Sequence, residues 1–212
     1  MNELQVKIQE RSKVWADCWC CETTNNGGNC IDDLTMKFTG HRPWRVSYCA
    51  MAAYVIYAEA CGELGMKPLL PKKAGAQIFL DSARAHPILK NFISSDPIVG
   101  AQFYRRSSLQ GKKSGSETTG HVGTVYQITD KRIITFEGNS SQQIHFVSYS
   151  LDAVYDKARG FAFIHACLAP HEADLRMVEI MPGVPMLIPW KEKAEPPASC
   201  RSNPRCKPKN AV

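Results

Sequence analysis

The spacing of apolar residues changes near residue 96, and that change restricts the folds open to this chain more than any other feature. Before it, apolar residues recur at helical spacing. After it, they alternate as they do along half-buried strands. Helices first and strands second predict an α+β domain, with N-terminal helices packed on an antiparallel β-sheet. At 212 residues and 44% hydrophobic content, the chain has enough apolar surface for one ordinary core.

In the helical half, residues 2–16 carry Leu4, Val6, Ile8, Val14 and Trp15 among charges and predict a short amphipathic helix. Asn25-Asn26-Gly27-Gly28-Asn29 is a turn signal, and 31–38 follows as another short helix. The clearest helix starts at Ser47, a favoured N-cap residue, and runs through Ala50, Ala52, Ala53, Tyr54, Ala58 and Ala60 to Gly62 or Gly65. Being apolar on most sides, it is expected to be buried. A further helix spans 74–85 and stops at His86-Pro87, because the residue before proline is pushed out of the helical region. In the strand half, 97–104, 122–128, 132–136 and 161–166 are the expected strands. The Ser, Gly and Lys-rich loop 105–119 is expected to be exposed and mobile. The proline-rich chain from Pro170 onward is expected to be extended and only partly packed.

The chemistry centres on Cys49. With Ser47 as N-cap, Cys49 is the second residue of its helix, where free N–H groups and the macrodipole favour a thiolate and can donate to a developing oxyanion. A thiol becomes a useful nucleophile when a helix N-terminus or a neighbouring imidazole lowers its pKa. Gly120-His121-Val122-Gly123 offers that imidazole at the start of a strand. On the next strand Glu137 and Asn139 are two apart and share one face. If the loop around Asp130 holds an odd number of residues, His121 and Gly123 lie across from Asn139 and Glu137, and all three side chains share a face. A two-residue turn would separate them. Either Glu137 or Asn139 would then hold the second ring nitrogen and fix the tautomer. His145 and His165 are rival bases without such a pairing, and Cys61 and Cys167 read as packing residues.

The set Pro43-Trp44…Tyr48-Cys49-Ala50, Gly120-His121-Val122-Gly123 and Phe136-Glu137-Gly138-Asn139-Ser140 resembles the CHAP family, the cysteine, histidine-dependent amidohydrolases/peptidases of papain-like fold. The resemblance spans roughly residues 25–144. It implies Cys49 as nucleophile, His121 as general base and later acid, and Glu137 or Asn139 as the orienting group. The implied substrate is peptidoglycan, cut at the muramic acid–L-alanine amide or within the stem peptide or cross-bridge. Tyr48, Trp44 and the 105–119 loop are candidate walls of an open groove for it. Members are typically peptidoglycan hydrolases, many of them bacteriophage endolysins or virion-associated lysins. The family often has Trp-Cys-Ala, whereas here Arg45-Val46-Ser47-Tyr48 separates Trp44 from Cys49. Asp32 and Asp33 do not form the Asp-x-Asp pattern of calcium-binding members, so no calcium site is expected. The expected organisation is an N-terminal helix and Cys-rich segment over 1–24, a CHAP-like catalytic domain over 25–169 and a Pro-rich basic tail over 170–212. Alternative readings are a bacterial antagonistic amidase toxin and a structural or tail-associated virion protein that carries a CHAP-like domain.

No run approaches the ~20 apolar residues that span a bilayer, and Met1-Asn2-Glu3-Leu4-Gln5-Val6-Lys7 lacks the apolar core of a signal peptide. The expected location is a phage virion, or the host cytoplasm before release to the wall, with phage tail or other virion proteins as further partners. The net charge of +6 favours anionic polymers such as wall components, but the basic residues are spread out and no nucleic-acid partner is expected. There are nine cysteines. Cys18, Cys20, Cys21 and Cys30, with Cys200 and Cys206, could form disulfides or a zinc site. Their spacing lacks the two-plus-two Cys-x-x-Cys pattern, so neither metal nor cofactor is expected.

Overall fold

The computed structural model describes residues 1–18, 20–41, 43, 45–106, 120–172, 175–181 and 184–189. It is a mixed α+β structure in which helices pack on a six-stranded antiparallel sheet.

Helix α1 (Glu3–Asp17) is started by a capping box: Asn2 Oδ1 accepts the Gln5 amide at 2.9 Å, and Gln5 Oε1 accepts the Asn2 amide at 2.7 Å. Its Leu4, Ile8 and Trp15 are fully buried in the main core. Residues 1–24, expected as an N-terminal segment before the catalytic domain, thus share its main core. The Cys20–Cys30 disulfide crosses the same boundary, joining the segment after α1 to helix α2 (Asn29–Thr39). Cys18 and Cys21 are also disulfide-bonded.

Helix α3 (Cys49–Glu63) is buried along most of its length, as its alanine-rich, all-round apolar sequence predicts. Its cap differs from expectation. Tyr48 is the N-cap and Cys49 the first helical residue, with no side-chain cap bond. Helix α4 (Ala76–Ala85) ends at His86, which is extended before Pro87 as proline requires.

The sheet runs β1 (Ile93–Ser94), β6 (Ala162–Ile164), β2 (Gln102–Arg106), β3 (Gly120–Ile128), β4 (Arg132–Ser140), β5 (Gln143–Ser150) in spatial order. Strand β5 was not expected, because its polar residues hide the alternation, and neither was the short helix α5 (Leu151–Tyr155). The expected strand over 97–104 is confined to β2. Beyond Pro170, β7 (Leu175–Met181) and β8 (Val184–Pro189) pair antiparallel, and the rest of the expected tail, 190–212, lies outside the described residues.

One sheet face carries Tyr104, Val122, Phe136 and Ile144 against α3 in the main core. The other carries Phe103, Val125 and Ile133 with Phe163 of β6 and Val154 of α5. Among the described residues, no helix is long and apolar enough to cross a membrane.

The β3–β4 register is the detail that matters for the site. The hairpin closes with the Thr129 amide bonded to the Arg132 carbonyl at 2.8 Å, around Asp130-Lys131. That is a two-residue turn, the case expected to separate His121 from Glu137. Near the turn Ile128 pairs with Ile133 and Gln127 with Ile134. Carried on unbroken, this register would turn Glu137 to the face opposite His121. An extra residue at Tyr126 shifts it by one, so that Val125 pairs with Thr135 and Gly123 with Glu137. The bulge restores the shared face that the turn had removed.

Candidate active site

The start of α3 lies against β4 because Gly138 leaves room for it. A Cβ there would stand 2.7 Å from Ala52 Cβ and 3.1 Å from the Tyr48 carbonyl oxygen. The first helical bond runs from the Ala52 amide to Tyr48 at 2.8 Å, so the amides of residues 49–51 have no acceptor within their own helix. At this end sits Cys49, a free thiol that is 3% exposed.

Pairing between β3 and β4 stops at Gly123 and Glu137, while β3 continues to Gly120 along β2. Beyond that point the Val122 amide bonds the Cys49 sulfur instead of a strand neighbour. The imidazole of His121 meets the same sulfur as hydrogen-bond partner and as cation. Its Nε2–H donates to Glu137 Oε2 at 2.7 Å, which leaves Nδ1 as the nitrogen for the thiol. Gly123 makes the crossing possible, since a Cβ there would lie 2.9 Å from Glu137 Cγ.

Glu137 is 1% exposed, so its charge must be satisfied within the protein. Thr135 donates to its Oε1 at 2.6 Å, and Tyr149 adds a further bond from β5. Arg105, the cross-strand neighbour of His121, hydrogen-bonds Tyr149 and lies 5.7 Å from its ring centroid. The line runs from sulfur to imidazole to carboxylate, then to a phenol and a guanidinium.

Protonation follows from this arrangement. Burial pushes the Cys49 thiol up, but the bond and charge of His121, the Val122 amide and the Ser47 hydroxyl outweigh it, and the thiol lies below its ordinary value. Burial alone would depress His121. Its bonds to Cys49 and Glu137, and the charges of both, instead raise it to about 9. Burial would raise Glu137, yet the contacts from His121, Thr135 and Tyr149 hold it below the usual carboxylate range. All three shifts favour a thiolate–imidazolium pair beside an ionised carboxylate.

Cys49, His121 and Glu137 therefore come together, and of the two candidate orienting groups it is Glu137 that holds the imidazole. Asn139 does not. It lies in the left-handed region at φ 56°, in the irregular stretch of β4, and its Nδ2 donates to Ser47 Oγ at 2.7 Å. Ser47, expected as the helix cap, instead places its hydroxyl 3.8 Å from Cys49 Sγ.

His165 bonds the Asp96 carbonyl at 2.8 Å, away from this site. His145 lies directly across from Glu137 on β5, a pairing the sequence did not disclose, but its buried Nε2 has no partner and Glu137 is bonded elsewhere. Tyr48 is fully buried with its hydroxyl donating to Glu22, so it lines no groove. Trp44 and most of the 105–119 loop lie outside the described residues. Thr135 was legible, standing two before Glu137 on the same face. Tyr149 was hidden because β5 was not recognised.

Among the described residues no cluster of three or more His, Cys, Asp or Glu side chains is placed to hold a metal ion. No family model, curated protein or solved structure matches the chain.

Proposed function

We propose that the protein is a cysteine amidase of papain-like type that cleaves an amide bond in a peptidoglycan stem peptide or cross-bridge through a thioester. The observation that carries this reading is the Cys49 thiol at the start of α3, in contact with an imidazole whose other nitrogen is bonded to buried Glu137 at 2.7 Å. A structural cysteine needs no such partner, and a buried one without it is an inert thiol.

The chemistry follows from the positions. The Cys49 thiolate attacks the carbonyl carbon, and the negative charge moves to oxygen beside the free amides at the head of α3. His121 Nδ1–H gives its proton to the departing amine, leaving an acyl thioester on Cys49. The now neutral imidazole takes a proton from water as the water attacks the thioester, and the acid product leaves with the thiolate restored. Glu137 keeps the ring oriented and stabilises its charged form throughout.

The substrate class comes from the resemblance to CHAP proteins in the three segments that carry Cys49, His121 and Glu137. Two further features accord with work at a cell wall, whether by a phage lysin or a related hydrolase. The net charge of +6 suits acidic wall polymers. The Cys20–Cys30 bridge suits an oxidising compartment.

The test is digestion of purified peptidoglycan by wild type and Cys49→Ala, with mass analysis of the released fragments. Wild type is expected to release fragments and Cys49→Ala none. A new muramic-acid terminus identifies an amidase and a new peptide terminus an endopeptidase. Equal fragment yields from the two proteins would sink the thiol mechanism.

A further inference from the structure

A buried imidazole–carboxylate pair is one neighbour of the Cys49 sulfur. Beside the sulfur there is a second arrangement that the triad does not use. Asn139 Nδ2 donates to Ser47 Oγ at 2.7 Å, and Ser47 Oγ lies 3.8 Å from Cys49 Sγ. An amide nitrogen can only donate, so at this contact the Ser47 oxygen accepts. A hydroxyl has a single proton to give, and with its oxygen engaged by Asn139 the Cys49 sulfur stands within reach to accept it.

We propose that Asn139 acts through Ser47 as a polarity lock, turning the Ser47 hydroxyl proton onto the Cys49 thiolate and adding a second contact to the sulfur beside that of His121. Both are positioning residues. The local backbone fits this role: β4 departs from its pairing with β5 between Glu137 and Ser140, and within that break Asn139 adopts φ 56°. The break swings residue 139 out of the ladder and toward the residue before the helix cap. Asparagine tolerates this conformation better than most residues and also carries the required donor. The Gly138 contact with Tyr48 and Ala52 fixes the distance between the two segments.

The inference rests on Cys49 being the nucleophile, but not on what the substrate is. It is therefore tested without substrate, from the pH dependence of iodoacetamide alkylation of Cys49 in the full chain, followed by mass spectrometry of the peptide that contains it. Wild type should alkylate with a midpoint below that of an ordinary thiol. Ser47→Ala should raise the midpoint by about one pH unit, roughly tenfold less thiolate at a fixed pH below it. Ser47→Thr, which keeps the hydroxyl, should restore it. Asn139→Asp should raise it at least as far, because a carboxylate would draw the Ser47 proton away from the sulfur and add a negative charge nearby. Asn139→Gly, which retains the backbone conformation, should raise it less, and that increment should vanish in the Ser47→Ala background.

An unshifted midpoint in Ser47→Ala would overturn the proposal. So would an unshifted Asn139→Asp, since it would mean that an acceptor already faces Ser47. An Asn139→Gly increment that survives in Ser47→Ala would show that Asn139 acts by another route. An ordinary thiol profile in the wild type would remove the nucleophile itself, and the proposed function with it. A low wild-type midpoint without wall cleavage would leave this inference standing and overturn only the substrate.

Discussion

Helix α3 carries a cysteine near each end, and the two behave oppositely. Cys49 is 3% exposed and Cys61 fully buried. Burial pushes the Cys61 thiol up to about 12, against a bond from the Tyr57 hydroxyl that lowers it and with the charge of Cys167 raising it further. The same burial acts on Cys49, yet its thiol is lowered, because His121, the Val122 amide and Ser47 converge on it from other segments. Cys167 repeats the Cys61 pattern and is also raised to about 12 by burial. Burial thus sets a common tendency, and the sign at Cys49 is decided by what the sheet brings to the head of the helix.

The sharpest way to break this contrast is to remove each thiol. Cys49→Ala should reduce hydrolysis on the order of 10⁵-fold or more, as loss of a nucleophile does elsewhere. Cys61→Ala should keep full activity and cost about 1–2 kcal/mol of stability through the small cavity it leaves, measured by denaturant unfolding.

Next in size is His121→Ala, which should turn Cys49 into a second Cys61. Hydrolysis should fall on the order of 10³-fold. Alkylation of Cys49 at mildly acidic pH should disappear and return only in alkaline solution. If Cys49 still reacts at acidic pH without His121, the helix end rather than the imidazole is what lowers the thiol.

The pH profile follows from the same groups. Activity should rise as the Cys49 proton leaves, at a pH below that of an ordinary thiol, and should fall as pH climbs through about 9 and His121 loses the proton it must give to the amine. Glu137→Gln removes the anion that helps keep His121 charged, so the alkaline limb should move to lower pH, with a loss of rate as the ring loses the group that orients it. The smallest effect belongs to Tyr149→Phe. It deletes one bond to Glu137, should cost about 1 kcal/mol, roughly fivefold in rate, and should shift the alkaline limb slightly downward. An effect as large as that of Glu137→Gln would mean that Tyr149 also contacts the reacting groups.

Much of the fold was legible because it depends on local signals. The capping and apolar spacing that make α1, the alanine-rich α3 and the proline stop of α4 all lie within a few residues in sequence. Strand β5 was not legible, since Gln143 to Ser150 mixes polar and apolar residues on both faces and gains its place only by pairing with β4. The helix cap was misplaced for a related reason. Ser47 has the right chemistry for a cap, but its oxygen is engaged by Asn139, ninety-two positions away in sequence. The disulfide partner of Cys20 was equally beyond spacing rules, because it depends on where α2 packs.

By itself, the sequence determined that Cys49 would stand at a helix start, that His121 would stand at the start of a strand, and that Glu137 would lie on the next one. These are consequences of local periodicity and composition. Only the tertiary structure decided whether that strand would turn Glu137 toward His121, and it did so through one extra residue; a separate break in β4, where Asn139 adopts φ 56°, took Asn139 to Ser47 instead. A two-residue turn at Asp130-Lys131 alone would have set Glu137 on the far face, and the bulge at Tyr126 returned it to His121. Strand register is a count over a whole hairpin, so a single irregularity far from the site can exchange faces for every residue beyond it, and no local pattern around Glu137 records that count.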